Sequence, residues 1–422
     1  MTRATSSLIA KNALYMMSSQ LGLALLQGAQ FFLIARALGP HEFGRVASVV
    51  AFTSALLPFS GLGLGNMAIM RLARGQGQPA LYLGNAWYVA SVTGAIGIGV
   101  ALLVGGGFLN DPGAWLLLAL FGFSEILLTK YIDIASHVFY GLERHEYAAV
   151  FYNLHMLVRV FFALGLYFMI PSPTAQQWAV LHVMAGLLTW AIVATVTMRR
   201  VGRPRLQTKL AWQDARHGVF FSVALSARSV YTDIDKAALG RFASMETAGA
   251  YTAAYRLVHM AFTPVIAVLL AVQARMFRDG AAAGLRGTKA LAVRLCLYGT
   301  AYCAALAVLI YGAAPLVPWL LGSAYALSSE VMHALCLLPL LLMLQGVHSE
   351  ALNGAGAQKV VAGLHTVAAV IALALNLVLV PMMSWRGSVI AAYVAQLVLV
   401  LALVAATASM RRREIKAAAA PG

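Results

Sequence analysis

Apolar residues fill long runs along the chain, and short polar segments separate these runs. The runs reach about 20 residues or more, the length that an α-helix needs to cross the hydrocarbon core of a bilayer. A transmembrane barrel would instead show segments of about ten residues with alternating polarity. We therefore predict an all-α integral membrane protein with about twelve transmembrane helices, at about residues 12–36, 44–68, 82–105, 114–138, 146–170, 176–198, 217–240, 247–273, 288–312, 328–351, 360–382 and 387–410.

The composition excludes a water-soluble protein. Of the 422 residues, 61% are hydrophobic and 10% are charged, and the mean hydropathy is +0.80. A soluble domain carries about 25% charged residues. The first apolar run is too long for the core of a cleavable signal peptide, so we expect it to stay as a helix. The three cysteines lie in apolar segments without the spacing of a metal site, and we expect no cofactor and no metal.

Lysine and arginine set the expected orientation. The formal net charge is +16, which on a soluble protein would suggest nucleic acid as a partner. With the N-terminus inside, twenty of the 30 basic residues fall in cytoplasmic segments and four in outer loops. Basic residues are retained on the cytoplasmic side of membranes. We therefore expect a multi-pass protein of the bacterial inner membrane with both termini in the cytoplasm, and no nucleic-acid partner.

The two halves of the chain share landmarks at a nearly constant offset. Gly240 follows Gly39 by 201 residues, and each comes directly after a leucine on a predicted outer hairpin. Arg275 follows Arg71 by 204 residues, and each precedes a second arginine by three positions. This pattern predicts an internal repeat of six helices.

The repeat predicts the domain organisation. We place an N-terminal six-helix lobe at residues 1–200, a basic cytoplasmic linker at 201–216, and a C-terminal six-helix lobe with a short basic tail at 217–422. Six is an even number, so the two lobes have the same orientation and are pseudo-symmetric. Transporters built from parallel repeats place a substrate cavity between the lobes and work by rocking, which predicts alternating access around a central cavity.

Several stretches resemble polysaccharide transporters. Residues 35–44 (ARALGPHEFG) and 61–65 (GLGLG) are similar to the N-terminal half of those proteins, and residues 235–240 and 248–256 continue the pattern. Later landmarks are Leu321, Gly322, Tyr325, Asn353, Gly354, Gly356, Asn376, Pro381 and Gly387. The resemblance covers nearly the whole chain. It is to the Wzx-type flippases, polysaccharide biosynthesis proteins of the multidrug/oligosaccharidyl-lipid/polysaccharide exporter superfamily.

This resemblance implies a flippase for lipid-linked sugars, not an enzyme. Its substrate would be undecaprenyl-diphosphate-linked oligosaccharide, moved from the cytoplasmic to the outer leaflet for O-antigen (lipopolysaccharide), capsule or exopolysaccharide. The implied partners are this lipid-linked oligosaccharide, the membrane lipids, and the polysaccharide polymerase and glycosyltransferases of the same process.

Ionisable side chains inside the predicted spans are the candidates for substrate binding. A charge at bilayer depth costs about 3 kcal/mol or more, so by default it faces a cavity or a partner. Arginine stays protonated and offers a bidentate fork to phosphate. Arg228 and Arg159 lie near the middle of their predicted helices. The candidate substrate-binding residues are Arg228, Arg159, Arg256, Lys236, Lys130 and Gln27.

The intramembrane acids are candidates for coupling or for ion pairs. Lys130 and Asp133 are three residues apart, a spacing at which side chains on one helix pair. Asp235 is offered as a partner for Arg256. Glu125 has no local partner in the sequence and is a candidate proton carrier, because burial favours the neutral form of a carboxyl group. The full set is Asp235, Asp233, Glu125 and Asp133; the alternative is that such pairs only hold helices together.

Proline and glycine mark candidate hinges. Proline removes a backbone hydrogen bond, and glycine permits bending or close packing. The candidate hinge residues are Pro58, Gly61, Gly63 and Pro264. Close packing without movement is the alternative.

Two other functions compete with the flippase reading. A cation-coupled multidrug exporter of the same superfamily often carries an acid in its first helix, and this chain has none between Lys11 and Arg36. A polytopic polymerase or glycosyltransferase would need a large outer loop or an acidic motif in water, and the outer loops here are short. The motif that binds ATP phosphates in many ATPases is absent, so an ion gradient or the membrane potential would drive transport.

Overall fold

The structure is a computed structural model that describes residues 3–75 and 77–419. Side chains are described for residues 22–75, 77–216, 218–219, 222–223, 225–226, 229–273 and 275–412. Every regular element in the described chain is a helix, and none of the described residues forms a β-strand. The predicted all-α membrane fold is therefore confirmed.

The helices follow one another with short connections. They are α1 (Arg3–Leu56), α2 (Leu64–Ala73), α3 (Pro79–Val100), α4 (Gly107–Leu109), α5 (Ala114–Phe121), α6 (Lys130–Gly141), α7 (His145–Met169), α8 (Ala175–Val201), α9 (Thr208–Phe242), α10 (Met245–Ala313), α11 (Val317–Leu321), α12 (Ala326–Leu335), α13 (Leu338–Gly354), α14 (Gln358–Met383) and α15 (Trp385–Ala419). Two π-helical segments, Ala101–Gly106 and Gly122–Thr129, connect α3 to α4 and α5 to α6. The 3₁₀ turns are Leu57–Phe59, Ala314–Leu316 and Ser323–Tyr325.

Two of the long helices contain a break. In α1, Gly39 has a left-handed φ of 67°, and the following Pro40 cannot donate a backbone hydrogen bond. In α10, Ala283 and Gly284 are non-helical. Each break falls between two predicted spans, so α1 and α10 each supply two helical segments.

Helices that can cross a membrane make up most of the chain. Among the described residues, nine helices are long and apolar enough, or ten if the bent pair Ser323–Leu335 and Leu338–Gly354 is one span. Large apolar side chains also lie on the outside; Phe168 is 76% exposed and Trp319 is 80% exposed. Such a surface suits lipid as the surrounding solvent. The count of twelve crossings stays a prediction.

The chain divides into two compact units. Unit 1 is Met1–Ser229 and unit 2 is Val230–Gly422, so the division falls inside α9. The predicted lobe boundaries at 1–200 and 217–422 stay predictions.

Unit 1 has its own apolar core. Within it α1 packs on α7, α2 on α6, and α7 on α8. Leu83 of α3, Phe139 of α6 and Ala211 of α9 are fully buried in one cluster. The start of α9 therefore belongs to the core of this unit.

Unit 2 is organised around α10. This helix packs on α12 and α13, and α14 packs on α15. Phe262, Met276, Cys303, Met343 and Val347 form one of its buried clusters. The two methionines of this cluster are flexible and fill gaps between the packed helices.

The predicted linker at 201–216 lies against unit 1. The Arg205 backbone N–H donates to the Ala80 carbonyl oxygen at 2.9 Å, and the Gln207 N–H donates to Asn85 Oδ1 at 2.8 Å. From Thr208 the segment is helical, and Asp214 pairs with Arg71. Backbone groups that leave water need partners. The segment is thus fastened to α3, and its irregular part is residues 202–207.

Candidate functional site

The second helical segment of unit 1 is interrupted near its middle. After Leu56 the chain forms the 3₁₀ turn that contains Pro58. Gly61, Leu62 and Gly63 then have φ angles of 77°, 43° and 72° before α2 begins. Left-handed backbone suits glycine because it lacks a Cβ. The first three predicted hinge residues therefore sit together in a complete break of the helix.

The fourth predicted hinge residue lies in a different setting. Pro264 is inside α10, whose non-helical residues are Ala283 and Gly284, so the helix continues through the proline. A hinge role for either region stays a prediction.

A buried ion pair joins two segments of unit 1. Glu125 lies in the π-helical segment before α6, and Arg159 lies in the middle of α7. Arg159 Nη2 donates to Glu125 Oε1 at 2.9 Å and to Thr129 Oγ1 at 3.0 Å. Glu125 has no charged partner within its own helical segment, and its partner Arg159 comes from another helix. The geometry brings together one predicted binding residue and one predicted coupling residue.

Two histidines complete this group. His182 of α8 places Nε2 at 3.3 Å from Glu125 Oε1, and its Nδ1 lies 2.9 Å from the Ser124 hydroxyl. His155 of α7 places Nε2 at 3.4 Å from Thr129 Oγ1. We call this set the interhelical cluster: Ser124, Glu125, Thr129, His155, Arg159 and His182. Sequence analysis gave the histidines no role, because an isolated histidine in an apolar helix carries no spacing signal.

The side chains of the interhelical cluster differ in exposure. The Glu125 side chain is 20% exposed, whereas that of His182 is 4% exposed. The Arg159 Nε atom is buried and has no hydrogen-bond partner among the described residues. The cluster therefore combines a carboxylate that remains accessible with a guanidinium donor that the surrounding described protein leaves unsatisfied.

The pair predicted from local spacing in α6 is present. Lys130 Nζ donates to Asp133 Oδ2 at 2.9 Å. The Tyr152 hydroxyl donates to Asp133 Oδ1 at 2.6 Å, and His137 Nε2 lies 3.7 Å from the same oxygen. Lys130 is thus largely neutralised by its own helix.

Unit 2 holds a second charged group, on α9. Lys236 Nζ donates to Asp233 Oδ1 at 2.8 Å and to Asp235 Oδ1 at 3.3 Å. Its ammonium also lies 4.5 Å from the centre of the Tyr255 ring, a cation–π distance. We call Asp233, Asp235 and Lys236 the α9 cluster.

The remaining predicted site residues lie elsewhere. Arg256 is a predicted partner of Asp235, but its side chain is exposed. Asp235 instead accepts a hydrogen bond from Lys236. Gln27 is exposed on α1. The side chain of Arg228 lies outside the described residues, so its place in the site stays a prediction.

Comparison with solved structures defines the class of fold. The chain is similar to an inward-facing multidrug resistance transporter of the MATE family in the MOP superfamily, with a TM-score of 0.75 and 13% identity over 92% of this chain and 95% of that one. It is similar to the lipid II flippase MurJ in an inward closed conformation, with a TM-score of 0.73 and 12% identity over 94% and 87% of the two chains. A MOP-superfamily transporter from Pyrococcus furiosus matches with a TM-score of 0.61 and 13% identity over 96% of each chain. The fold is that of MOP-superfamily transporters.

Sequence comparison then shows the family. The profile described as polysaccharide biosynthesis protein matches residues 9–274, more than half of the chain. The protein belongs to the polysaccharide biosynthesis protein family, as the sequence resemblance indicated. No curated protein sequence matches the chain.

Proposed function

We propose that the protein is a flippase of the bacterial inner membrane. It moves undecaprenyl-diphosphate-linked sugar repeat units from the cytoplasmic to the outer leaflet, for O-antigen, capsule or exopolysaccharide. The observation that carries this proposal is the match to a polysaccharide biosynthesis family in a chain with a transporter fold. The similarity to MurJ, described as a lipid II flippase, supports a lipid-linked substrate.

Arg159 is the residue we propose to hold the diphosphate. Its side chain on α7 is buried, and its Nε donor has no hydrogen-bond partner in the described part of the chain. A guanidinium can bind phosphate through two parallel hydrogen bonds. Arg159, Lys130 and Lys236 are all paired with carboxylates, and Arg159 differs in that its Nε donor is left over for a phosphate oxygen. The proposed set of substrate-binding residues also includes three that the sequence predicted, Arg228, Arg256 and Gln27.

The proposed mechanism is alternating access driven by an ion gradient or the membrane potential. The helix break around Pro58, Gly61 and Gly63 is the proposed hinge of unit 1, because its backbone lacks the regular hydrogen bonds of a helix. The polysaccharide polymerase and glycosyltransferases are the proposed functional partners.

Multidrug export is the second candidate, because a multidrug transporter shares the fold. The absence of an acid between Lys11 and Arg36 argues against a cation-coupled drug exporter. The buried Arg159 also suits an anionic cargo better than a cationic drug, because like charges repel at bilayer depth.

The test measures how lipid-linked oligosaccharide is distributed between the two membrane leaflets in cells that lack the gene. We expect it to accumulate on the cytoplasmic side, and the wild-type gene to reverse this. Arg159→Ala and Arg228→Ala should fail to restore flipping, and Arg228→Lys should restore part of it. Arg278→Ala, which removes an exposed arginine, is the matched control and should restore flipping fully. Normal flipping with drug hypersensitivity would favour the exporter, and normal flipping with altered polymer length would favour an enzyme.

A further inference from the structure

The segment after α8 lies where three helices that can cross the membrane meet one membrane surface. The Arg205 backbone N–H donates to the Ala80 carbonyl oxygen at the start of α3. At the end of α8, the Arg200 guanidinium lies 5.8 Å from the centre of the Tyr147 ring at the start of α7. The ends of membrane spans mark the boundary between hydrocarbon and headgroups. The chain from 199 to 216, which we call the basic segment, therefore lies at headgroup level.

Every exposed charge of the basic segment is positive. Its single acid, Asp214, is buried and pairs with Arg71 of α2. Clusters of about four to eight bases next to a membrane span attract anionic lipid headgroups. The exposed bases of the segment are Arg199, Arg200, Arg203, Arg205, Lys209 and Arg216.

The first turns of α9 add apolar side chains to this charge. Ala211 is buried in the core of unit 1. Lys209, Trp212 and Arg216 are three and four residues apart and are exposed on one face of the helix. Leu206, just before α9, is 53% exposed. Tryptophan favours the membrane interface, where its ring lies at headgroup level. Lipid is therefore the ligand that suits both the bases and the apolar side chains, since a nucleic acid or an acidic soluble protein offers no acyl chain.

Contacts with α3 hold the basic segment in place. The Gln207 backbone N–H donates to Oδ1 of the buried Asn85 at 2.8 Å. The Arg205 backbone lies so close to Gly84 that a Cβ there would clash with it. Arg205 Nη1 also donates to Gln78 Oε1 at 2.9 Å. Because the backbone is already ordered, less conformational entropy is lost when a ligand binds.

We propose that the basic segment is a binding surface for anionic phospholipid headgroups. The phosphodiester accepts hydrogen bonds from the arginines, and the acyl chains contact Leu206 and Trp212. The surface meets the start of α7, whereas Arg159 lies in the middle of that helix. It is thus separate from the interhelical cluster and does not depend on the proposed cargo. The charge of the surrounding lipid acts as a ligand of unit 1.

The test compares two lipids that share acyl chains and differ in headgroup charge. Dioleoyl phosphatidylglycerol or dioleoyl phosphatidylcholine is titrated into the full-length protein in a neutral detergent, and native mass spectrometry measures the bound lipid. We expect the wild type to prefer phosphatidylglycerol, and the preference to fall as salt rises, because salt screens exposed charges. The triple variant Arg203→Gln, Arg205→Gln, Lys209→Gln should lose about fivefold in phosphatidylglycerol affinity for each removed base that lies near a headgroup. Its affinity for phosphatidylcholine should not change.

Single variants provide matched controls. Lys209→Gln and Arg275→Gln each remove one exposed positive charge, but Arg275 is paired with Asp279 on its own helix. Lys209→Gln should lower the preference by about fivefold, and Arg275→Gln should keep it. Both changes are at exposed side chains, so they give a result even if the triple variant fails to fold.

Three results would overturn the proposal. The first is equal affinity of the wild type for the two lipids. The second is a preference that both the triple variant and Lys209→Gln retain in full. The third is displacement of phosphatidylglycerol by glycerol phosphate, a headgroup without acyl chains, which would make the surface a site for soluble anions. Binding of a single-stranded oligonucleotide together with equal affinity for the two lipids would assign the surface to nucleic acid instead.

Discussion

The two charged clusters are built in different ways. The interhelical cluster of unit 1 draws Glu125, Arg159 and His182 from three segments that are far apart in sequence. The α9 cluster of unit 2 lies within four consecutive residues of one helix. Its contacts with α10 include the aromatic ring of Tyr255. A cluster that needs several helices to be in place depends on the packing of its unit, whereas a local cluster forms with its helix.

This difference has a functional consequence. A local pair on one helix keeps its geometry when helices move relative to one another. The interhelical pair changes whenever α7 or α8 shifts against the π-helical segment that carries Glu125. π-Helical segments often occur at functional sites, because the extra residue per turn is kept only where it is useful. The interhelical cluster is therefore the better place to couple binding to movement.

The largest expected effect is the loss of Arg159. Removing one partner of a buried ion pair costs about 3–5 kcal/mol. Glu125 would lose its guanidinium partner here, and because its side chain is 20% exposed we expect the lower part of this range. Arg159→Met should lower the free energy of unfolding in mixed micelles by this amount. Glu125→Gln combined with Arg159→Met should recover most of the loss. Equal destabilisation of the single and double variants would show that the pair itself is unimportant.

The next effect concerns the helix break. Gly63 has a φ of 72°, and a Cβ there would meet the backbone carbonyl of Gly218. Gly63→Ala should cost about 3 kcal/mol, from about 1–2 for the left-handed backbone and the rest from overpacking. Gly75 has a φ of 67° with open space around the same position, so Gly75→Ala isolates the backbone term. The two substitutions should differ in the midpoint of thermal unfolding; equal midpoints would show that the contact between Gly63 and Gly218 contributes nothing.

A smaller effect is expected in the α9 cluster. Lys236→Met removes a buried ammonium. Asp233 is 30% exposed and can be hydrated, and the buried Asp235 keeps the hydrogen bond that its Oδ1 accepts from the backbone N–H of residue 236. We expect a loss of about 2 kcal/mol, less than for Arg159→Met, since hydrogen bonds to charged groups contribute about 1.5–3 kcal/mol each. The same unfolding assay applies. A loss as large as that of Arg159→Met would remove the distinction between the two clusters.

The smallest effect is expected for Asp233→Asn. Asp233 is 30% exposed, and asparagine keeps a side-chain oxygen that can accept from Lys236 Nζ. Because Lys236 keeps Asp235 as a partner, unfolding should change by less than about 1 kcal/mol. Transport should be retained in the leaflet assay. A severe transport defect with unchanged stability would assign Asp233 a direct role that its local geometry does not suggest.

Much of the local structure could be predicted from the sequence. The pairing of Lys130 with Asp133 followed from helix spacing, and the interruption around Pro58 followed from proline and the glycines after it. The partner of Glu125 could not be predicted, because helix periodicity relates residues three or four apart and says nothing about the facing helix. The π-helical segment adds a residue to the turn, so counting along a regular helix also misplaces Glu125.

The sequence by itself determined the membrane environment, the all-α fold and the family, because apolar run length and backbone hydrogen bonding leave few structures for a chain in lipid. It also determined the contacts that form within a single helix. The tertiary structure alone decided that Arg159 meets Glu125 and His182, and that the segment before α9 is fastened to α3. Those contacts depend on how helices rotate and approach one another, and in lipid this is set by side-chain packing over whole helix faces rather than by any short stretch of residues.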